Sequence, residues 1–374
     1  TGTGSSGDPF RSIQSGINFA SNADSVTVAA GTYVENINFR GRNIKVLGAD
    51  RETTIIDGDS SGSVVIISSG EDSTALLKNF TITNGNANTG DWPNNAGAGV
   101  LIYNYSSPTL RNLIVTNNYA SFGGGGIEIN TYCNPLLDNV TINQNSASRG
   151  AGLSVQESSS PEIKNTIISN NLVDPSGSGL FGGGVCIESL SNPTFNNVQI
   201  TGNTATNSGG GVYINNQSSP VFENVQITGN TANSYGGGIL IYGSDSNPII
   251  NNSVISNNSA SSHGGGIAAR SYDGDPSLYI SSSIISNNSS SNSGGGIYLQ
   301  LTRNIYIENT EITGNTSSNS GGGIYNDRSP VFINGSLIAD NESSQWPAIH
   351  IYANAVYISN STIANNSTSS GDQA

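Results

Sequence analysis

A glycine-led stretch, Gly-Gly-Gly-Val-Tyr-Ile at residues 209–214, returns along most of the chain and limits the fold more than any other feature. Close copies begin at residues 124, 182, 236, 264, 294 and 321, looser copies begin at residues 97 and 150, and Pro347 begins one more. Successive copies lie 25 to 32 residues apart, so the period is about 27 residues. A fixed period of this length is typical of units that cannot bury a core alone and must stack on one another. The sequence therefore predicts a solenoid.

Two columns of asparagine accompany the glycines. In most repeats one Asn stands 13 residues after the last glycine, and a second Asn stands six residues further on. Asn tolerates the left-handed backbone conformation of tight turns, and stacked Asn amides can hydrogen-bond from one coil to the next. Ser282 and Gly335 interrupt the first column, and both residue types also tolerate a tight turn. The first column contains Asn112, Asn139, Asn165, Asn197, Asn224, Asn309 and, one residue late, Asn252; the second contains Asn118, Asn145, Asn171, Asn203, Asn230, Asn258, Asn288, Asn315, Asn341 and Asn366.

Each repeat reads as three short strands, for example around Val212, around Val221 and around Gln226. Apolar residues alternate in these segments, which places every second side chain in the core. Strands this short must pair in parallel with their copies in the next coil, and parallel crossovers are almost always right-handed. The predicted fold is all-β: a right-handed parallel β-helix with three-strand coils of about 27 residues and a short N-terminal capping helix. A β-propeller needs about 40 residues per repeat, and a leucine-rich repeat needs a helical half that this repeat lacks.

The first residues differ from the repeats. Residues 1–7 are rich in Gly and Ser, and Phe10, Ile13 and Ile17 follow at helical spacing. This pattern predicts a helix over residues 10–20 that covers the first coil, because an open sheet edge invites association. We divide the chain into a lead-in and capping helix at residues 1–24 and a β-helix at residues 25–374.

Two family resemblances cover nearly the whole chain. The early segments Gly31-Thr32-Tyr33…Glu35 and Thr54…Ile56-Asp57-Gly58 resemble the opening of the pectin-lyase-like β-helix superfamily. From about residue 97 onward, the glycine-led repeats resemble those of polymorphic outer-membrane proteins, with Ile where that family often has Phe. The resemblances imply a surface or secreted β-helix, and the second family is associated with adhesion and autotransport.

Composition excludes several kinds of partner and indicates a location. The net charge is −14 and the 12 basic residues are scattered, which argues against nucleic acid and against an anionic membrane surface as partners. We find no apolar run long enough to span a membrane. The chain contains no Met, even at position 1, which predicts a mature extracellular or cell-surface protein whose signal peptide has been removed. A shortened chain is the alternative explanation.

The sequence predicts no catalytic residue, no metal site and no cofactor. An enzyme on this scaffold would need carboxylates in neighbouring outward columns. Glu128 has only Glu157 and Glu188 within reach on nearby coils and no basic partner in the same columns, so these acids are expected to be solvated. His263 and His350 stand alone, and Asp273 with Asp275 is a weak cation signal. Cys133 and Cys186 fall in different columns two coils apart, which argues against a disulfide.

An aromatic stripe is predicted on the outward columns of the glycine-led strand. Aromatic residues on an exposed face mark binding surfaces for proteins or for sugar rings. Tyr is also simply a good strand former, and the sequence supports both explanations equally. The predicted binding residues are Tyr213, Tyr242, Tyr298, Tyr325 and Tyr352, with Leu240 in the same stripe.

The leading functional hypothesis is a non-catalytic secreted or cell-surface rod with a structural or adhesive role. Its predicted partner is other copies of itself in a fibre or surface assembly, because no capping segment follows the coil that ends near Asn366. The alternatives are a polysaccharide lyase or glycoside hydrolase on the same scaffold, and an adhesin whose partners are surface glycans.

Overall fold

The computed structural model describes residues 2–173, 179–243, 245–271 and 276–369, and these residues form the predicted parallel β-helix. One coil contains a strand after the glycine run, two strands that meet at the first asparagine column, and a very short strand after the second column. All strand pairs are parallel and join equivalent residues of successive coils, as Val212 and Ile239 do. The fold class and the period expected from the sequence are confirmed.

The large sheet contains the two strands on either side of the first asparagine column. Asn224 and its equivalents have left-handed φ angles, 54° at Asn224, and this turns the chain between the two strands. The described strands number 23 and are Ser25–Val28, Gly31–Val34, Lys45–Gly48, Thr54–Asp57, Leu76–Thr83, Thr109–Thr116, Leu136–Asn143, Glu162–Lys164, Ile167–Ser169, Thr194–Asn196, Gln199–Thr201, Val221–Glu223, Gln226–Thr228, Ile249–Asn251, Val254–Ser256, Leu278–Ser281, Ile284–Ser286, Ile305–Glu308, Glu311–Thr313, Val331–Asn334, Leu337–Ala339, Val356–Ser359 and Thr362–Ala364.

The glycine sheet contains the strand that follows each glycine run. Its first and third residues, such as Val212 and Ile214, point into the core and are fully buried. At Gly211 an added Cβ would lie 2.6 Å from the Gly238 carbonyl oxygen, so the coils approach too closely for any side chain. The 12 described strands are Ile37–Asn38, Val65–Ile67, Val100–Ile102, Ile127–Ile129, Leu153–Val155, Val185–Ile187, Val212–Asn215, Ile239–Tyr242, Ile267–Arg270, Ile297–Gln300, Ile324–Asp327 and Ile349–Ala353.

The short sheet is a feature that the sequence analysis missed. Its strands are mostly two residues long and consist of small residues such as Thr204 and Ala205, so they show no apolar alternation. A coil from Glu162 onward therefore has four strands in three sheets rather than three strands, whereas Leu76–Thr83, Thr109–Thr116 and Leu136–Asn143 each run through the first asparagine column as one strand. The 11 described strands are Asn86–Ala87, Tyr119–Gly123, Ser146–Arg149, Leu172–Val173, Thr204–Ala205, Thr231–Ala232, Ser259–Ala260, Ser289–Ser290, Thr316–Ser320, Glu342–Gln345 and Ser367–Thr368.

The second asparagine column forms a continuous buried ladder, as predicted. Asn230 shows the pattern: its Nδ2 donates to Asn258 Oδ1 at 3.0 Å and to the Ile200 carbonyl at 2.9 Å. Its Oδ1 accepts the Asn203 backbone N–H at 2.9 Å and the Asn203 amide at 3.0 Å. Ten asparagines from Asn118 to Asn366 are at most 3% exposed and continue this arrangement. The ladder satisfies side-chain and backbone groups that the core would otherwise leave unpaired.

The capping helix spans Ile13–Phe19 and is shorter than the predicted 10–20. The helix begins after Ser12, which is its N-cap, because the Ser12 hydroxyl accepts the Ser15 N–H at 3.2 Å. The Glu35 carboxylate accepts the Ile13 N–H at 2.7 Å and the Gln14 N–H at 2.9 Å. Glu35 of the Gly-Thr-Tyr motif therefore joins the helix to the first coil.

Both cysteines are buried and free. Cys133 occupies a position that other coils fill with a hydroxyl residue, and its sulfur accepts the Ser106 N–H at 3.2 Å. Ser159 and Ser191 stand at the equivalent positions of the next two coils and accept backbone N–H groups in the same way. Cys133 therefore has a structural role in this ladder.

Candidate functional site

The outward face of the glycine sheet forms a groove along the rod. Its floor consists of the middle residue of each strand, such as Tyr213 or Leu240. One wall consists of the residue two positions after each floor residue, such as Tyr242 after Leu240. The other wall is the residue that precedes each glycine run, such as Phe181 or Tyr235. Wall and floor are in contact: the Phe181 and Tyr213 rings stack with centroids 4.6 Å apart. The rings of Tyr235 and Tyr298 lie 6.0 Å apart.

An aromatic cavity of about 230 Å³ opens in the middle of this groove. The Arg270 guanidinium lies 4.1 Å from the Tyr235 ring centroid and 5.9 Å from the Tyr242 centroid. Arg270 is 7% exposed, so its charge lies against these rings rather than in bulk water. Asn207, Ser208 and Ser234 supply polar groups at the rim. The aromatic lining is completed by Phe181, Tyr213 and Leu240.

The structure changes the expected exposure of the aromatic stripe. Tyr213, Leu240 and Tyr298 are only 3%, 2% and 4% exposed, so the prediction that they lie on an exposed face is wrong. Phe181, Tyr235 and His263 from the other wall cover them. Sequence reasoning followed only the columns within the strand and missed this wall. The signal was present, because Phe181, Tyr235, His263 and Trp346 all immediately precede a glycine run or its equivalent.

The other predicted tyrosines remain accessible. Tyr242 lines the aromatic cavity and is partly buried. Tyr325 is also partly buried and stacks on Tyr298 with ring centroids 5.2 Å apart. Tyr352 is 70% exposed. The binding role of the five tyrosines stays a prediction.

The aromatic rings of the groove are uncharged near neutral pH, and burial strengthens this preference. Burial raises the pKa of Tyr213 and of Tyr298 well above the ordinary value for a phenol. Burial, helped by the Arg270 charge, lowers the pKa of His263 to about 4. The His263 ring is therefore uncharged near neutral pH, and its Nδ1 shares a 2.6 Å hydrogen bond with the Ser262 hydroxyl. The floor thus offers apolar ring surface beside the Arg270 charge.

Acidic residues lie in the groove on the N-terminal side of the cavity, and one of them is fully buried. Glu128 is 0% exposed, and burial raises its pKa to about 8 against the opposing hydrogen bond from Asn130. Glu128 Oε1 accepts that bond at 3.1 Å, whereas Oε2 has no hydrogen-bond partner among the described residues. The Gly123 backbone covers the carboxyl, since a Cβ at Gly123 would lie 2.9 Å from Oε2. A ligand in the groove does not reach this group.

Glu188 forms an ion pair that the sequence did not predict. Arg149 Nη1 lies 3.3 Å from Glu188 Oε2, and the Arg149 guanidinium lies over the Phe122 ring at 5.2 Å. Arg149 precedes a glycine run and belongs to the wall that the sequence analysis missed. The expectation that Glu128 and Glu188 are solvated is wrong, since Glu188 is only 6% exposed, whereas Glu157 is exposed as expected.

The described residues contain no group of three His, Cys, Asp or Glu side chains placed to hold a metal ion. The acidic pair Asp273 and Asp275 lies outside the described residues. Within the described part of the chain, no helix is long and apolar enough to cross a membrane.

Comparison with known proteins now assigns the family. The family model described as "Right handed beta helix region" matches residues 15–231 and 210–373. The chain belongs to the right-handed β-helix family. This match confirms the expected handedness and the resemblance to the pectin-lyase-like β-helix superfamily. The resemblance of the repeats to polymorphic outer-membrane proteins stays a prediction. Among curated protein sequences, none matches the chain.

Several solved structures are similar to this chain at low sequence identity. The catalytic domain of a GH87 α-1,3-glucanase is 14% identical, with 92% of this chain and 64% of that chain covered and a TM-score of 0.53. The A-module of a mannuronan C-5 epimerase from Azotobacter vinelandii is 16% identical, with 94% of each chain covered and a TM-score of 0.47. A periplasmic alginate epimerase is 10% identical, with 91% of this chain and 85% of that chain covered and a TM-score of 0.48. At 14% identity the likeness to the glucanase shows the fold alone.

Proposed function

We propose that this protein is a secreted or cell-surface β-helix that binds a polysaccharide along the groove of the glycine sheet and has an adhesive role. The aromatic cavity carries the proposal. Phe181, Tyr235 and Tyr242 present partly exposed rings there, and Arg270 with the rim of Asn207, Ser208 and Ser234 offers polar groups. This combination suits sugars, whose rings have apolar faces and whose hydroxyls need hydrogen-bond partners.

The repeat supports an extended ligand rather than a single sugar. Equivalent groove positions recur once per coil, and parallel strands lie about 4.8 Å apart. Tyr325 continues the aromatic surface beyond the cavity, and Trp346 is 54% exposed and stacks on His350 with centroids 4.2 Å apart. A chain of sugars lying parallel to the rod would meet one set of these groove positions at each coil.

Substitution in the wall tests the proposal. Phe181→Ala and Tyr235→Ala should each weaken binding about tenfold, because each removes ring surface at the cavity and leaves the inward core residues unchanged. A glycan array identifies the ligand, and calorimetry then measures its Kd. Tyr105→Ala is the matched control, since Tyr105 is 63% exposed and stacks on Tyr132 outside the groove. Equal losses for all three variants, or no glycan bound by the wild type, would contradict the proposal.

Polysaccharide cleavage is the second candidate function. Glu188 and Arg149 lie in the groove on coils next to the cavity, and the similar fold of an α-1,3-glucanase catalytic domain supports this candidate. The burial of Glu128 favours binding over cleavage, because general acid–base catalysis needs a group within hydrogen-bond reach of the substrate.

Product analysis separates the two candidates. The protein would be incubated with the bound polysaccharide, and new reducing ends and unsaturated sugars would be measured. We expect no turnover. Turnover that disappears in Glu188→Gln while binding persists would establish cleavage and overturn the adhesive assignment.

A further inference from the structure

A cluster of basic residues lies on the outer face of the large sheet, in its first coils and away from the groove. Lys45, Lys78 and Arg111 belong to three neighbouring strands, Lys45–Gly48, Leu76–Thr83 and Thr109–Thr116. The register places Lys78 directly opposite Arg111, and Lys45 opposite Leu76. These are three of only 12 basic residues in a chain whose net charge is −14.

Alternation along the strands points all three cations outward. Val46, Leu77 and Leu110 are fully buried, and Lys45, Lys78 and Arg111 are their neighbours in sequence. Like charges directly opposite each other on adjacent strands are destabilising, so the Lys78–Arg111 pair is unfavourable unless an anion lies nearby. Arg111 Nε lies 3.3 Å from Asp138 Oδ2 of the next coil, which neutralises one side of the cluster.

An open cavity of about 530 Å³ lies beside this cluster. Lys45 and Arg111 line it together with Leu76 and Thr109. Leu76 pairs with Lys45 on one side and with Thr109 on the other, and Thr109 lies two residues before Arg111 on the same strand. Ser73, Thr74 and Asn43 add hydroxyl and amide groups to the rim. The Asp72 carboxylate lies close to this rim and is already hydrogen-bonded there: it accepts the Asn43 amide at 2.8 Å and the Thr74 N–H at 2.8 Å. The volume lies within the range of small-ligand sites.

We propose that Lys45 and Arg111 at the cavity, with Lys78 opposite Arg111 on the adjacent strand, form a second binding site for a short acidic oligosaccharide that carries carboxylate or sulfate groups. The cations would hold the anionic groups, and Ser73, Thr74 and Asn43 would contact sugar hydroxyls. A short ligand fits better than a long polyanion, because the net charge of −14 repels an extended negative chain. The site lies on another sheet than the aromatic groove and does not depend on the function proposed for that groove.

Three tetrasaccharides of equal length test the site: one sulfated, one composed of uronates and one neutral. Calorimetry at low salt should detect binding of at least one charged probe, and its affinity should fall as salt is added. The neutral probe should bind at least about tenfold more weakly at this site. The double variant Lys45→Gln, Lys78→Gln should weaken binding of the charged probe about tenfold or more. Lys45 is exposed and Lys78 is partly exposed, so both substitutions should leave the fold intact, which circular dichroism checks.

Two further variants locate the site. Lys164→Gln is the matched control, since Lys164 lies in the same sheet with its Nζ 3.4 Å from Glu162 Oε1, and it should change affinity less than about twofold. Tyr235→Ala should leave the binding of the charged probe unchanged. The site is overturned if neither charged probe binds, if Lys45→Gln, Lys78→Gln binds as the wild type does, or if Tyr235→Ala abolishes binding, because the acidic sugar then occupies the groove. If Tyr235→Ala loses polysaccharide binding while the charged probe still binds, the result supports both proposals, each at its own site.

Discussion

At the scale of single residues, the core and the groove differ in how completely their buried polar groups are hydrogen-bonded. Each ladder asparagine pairs both ends of its amide, whereas Glu128 keeps one carboxyl oxygen without a partner among the described residues. A neutral carboxyl tolerates this burial far better than a carboxylate does. Burial therefore keeps Glu128 protonated in the folded protein at neutral pH.

Glu128 should make stability fall as pH rises. Its pKa is about 8 in the folded protein and about 4.5 in an unfolded chain, so the folded state holds the extra proton between these values. The stabilisation is complete below about pH 4.5 and is lost as pH rises to about 8, a change on the order of 3–5 kcal/mol. Glu128→Gln should flatten this part of the pH profile and unfold at higher urea concentration near pH 9. The control is Glu162→Gln on the exposed face of the large sheet, and coinciding profiles for wild type and Glu128→Gln would contradict the assignment.

Removal of one ladder amide should destabilise its neighbours. Asn230→Ala deletes the bonds to Asn258 and Ile200 and leaves Asn203 without its acceptor, so the free energy of unfolding should fall by about 2–4 kcal/mol. Asn197→Gly is the matched control: it keeps the left-handed turn and loses one exposed bond, to Asn165 at 2.9 Å, with an expected loss below about 1 kcal/mol. Urea unfolding measures both variants, and similar losses would mean that burial of the ladder is unimportant.

At the scale of elements, the capping helix depends on a contact with the first coil. The helix has only 7 residues and is too short to be stable alone. The Glu35 carboxylate accepts two of its first N–H groups, which have no partners within a helix. Ile13 and Ile17 are buried against the first strands.

Glu35→Ala should therefore release the cap while the later coils stay folded. The expected loss is about 1–2 kcal/mol of local stability, seen as faster amide hydrogen exchange over residues 13–20. Glu52→Ala is the control, because Glu52 is an exposed acid whose ion pair with Arg51 lies at the surface. Unchanged exchange in Glu35→Ala would show that apolar packing alone holds the helix.

At the scale of the whole molecule, self-association stays a prediction. The outer face of the large sheet carries stacked rings whose exposure supports it, since Tyr306 is 37% and Tyr357 57% exposed. Phe332 lies between them, 5.1 Å from the Tyr306 ring centroid and 5.0 Å from the Tyr357 centroid. Exposed apolar surface of this kind favours contacts between molecules.

We expect sedimentation at micromolar concentration and low salt to show species larger than a monomer. Tyr306→Ser with Tyr357→Ser should shift the distribution toward monomer if the rings form the contact. Tyr105→Ser, at an exposed turn on another face, is the control. A single monomeric species for the wild type would end the idea of a self-assembling rod.

The sequence by itself determined the repeating coil, because its glycines and asparagines act locally. Gly211 is fixed by the approach of the next coil, and Asn224 and Asn230 stand where every coil turns, so a period of about 27 residues defines the helix. Alternation likewise identified the inward residues. The short sheet could not be predicted, because small residues such as Thr204 and Ala205 show no alternation of apolar and polar side chains.

Only the tertiary structure decided what lies over the outward residues. Alternation tells which side of a strand a residue faces, and it carries no information on what another segment places above that side. The sequence put Tyr213 and Glu128 on an outward face correctly, yet Phe181 covers the first and the Gly123 backbone covers the second. The ion pair of Arg149 with Glu188 joins residues 39 apart in the chain. Such contacts depend on how the bend at each glycine run places one wall above the floor, and this is a property of the folded coil.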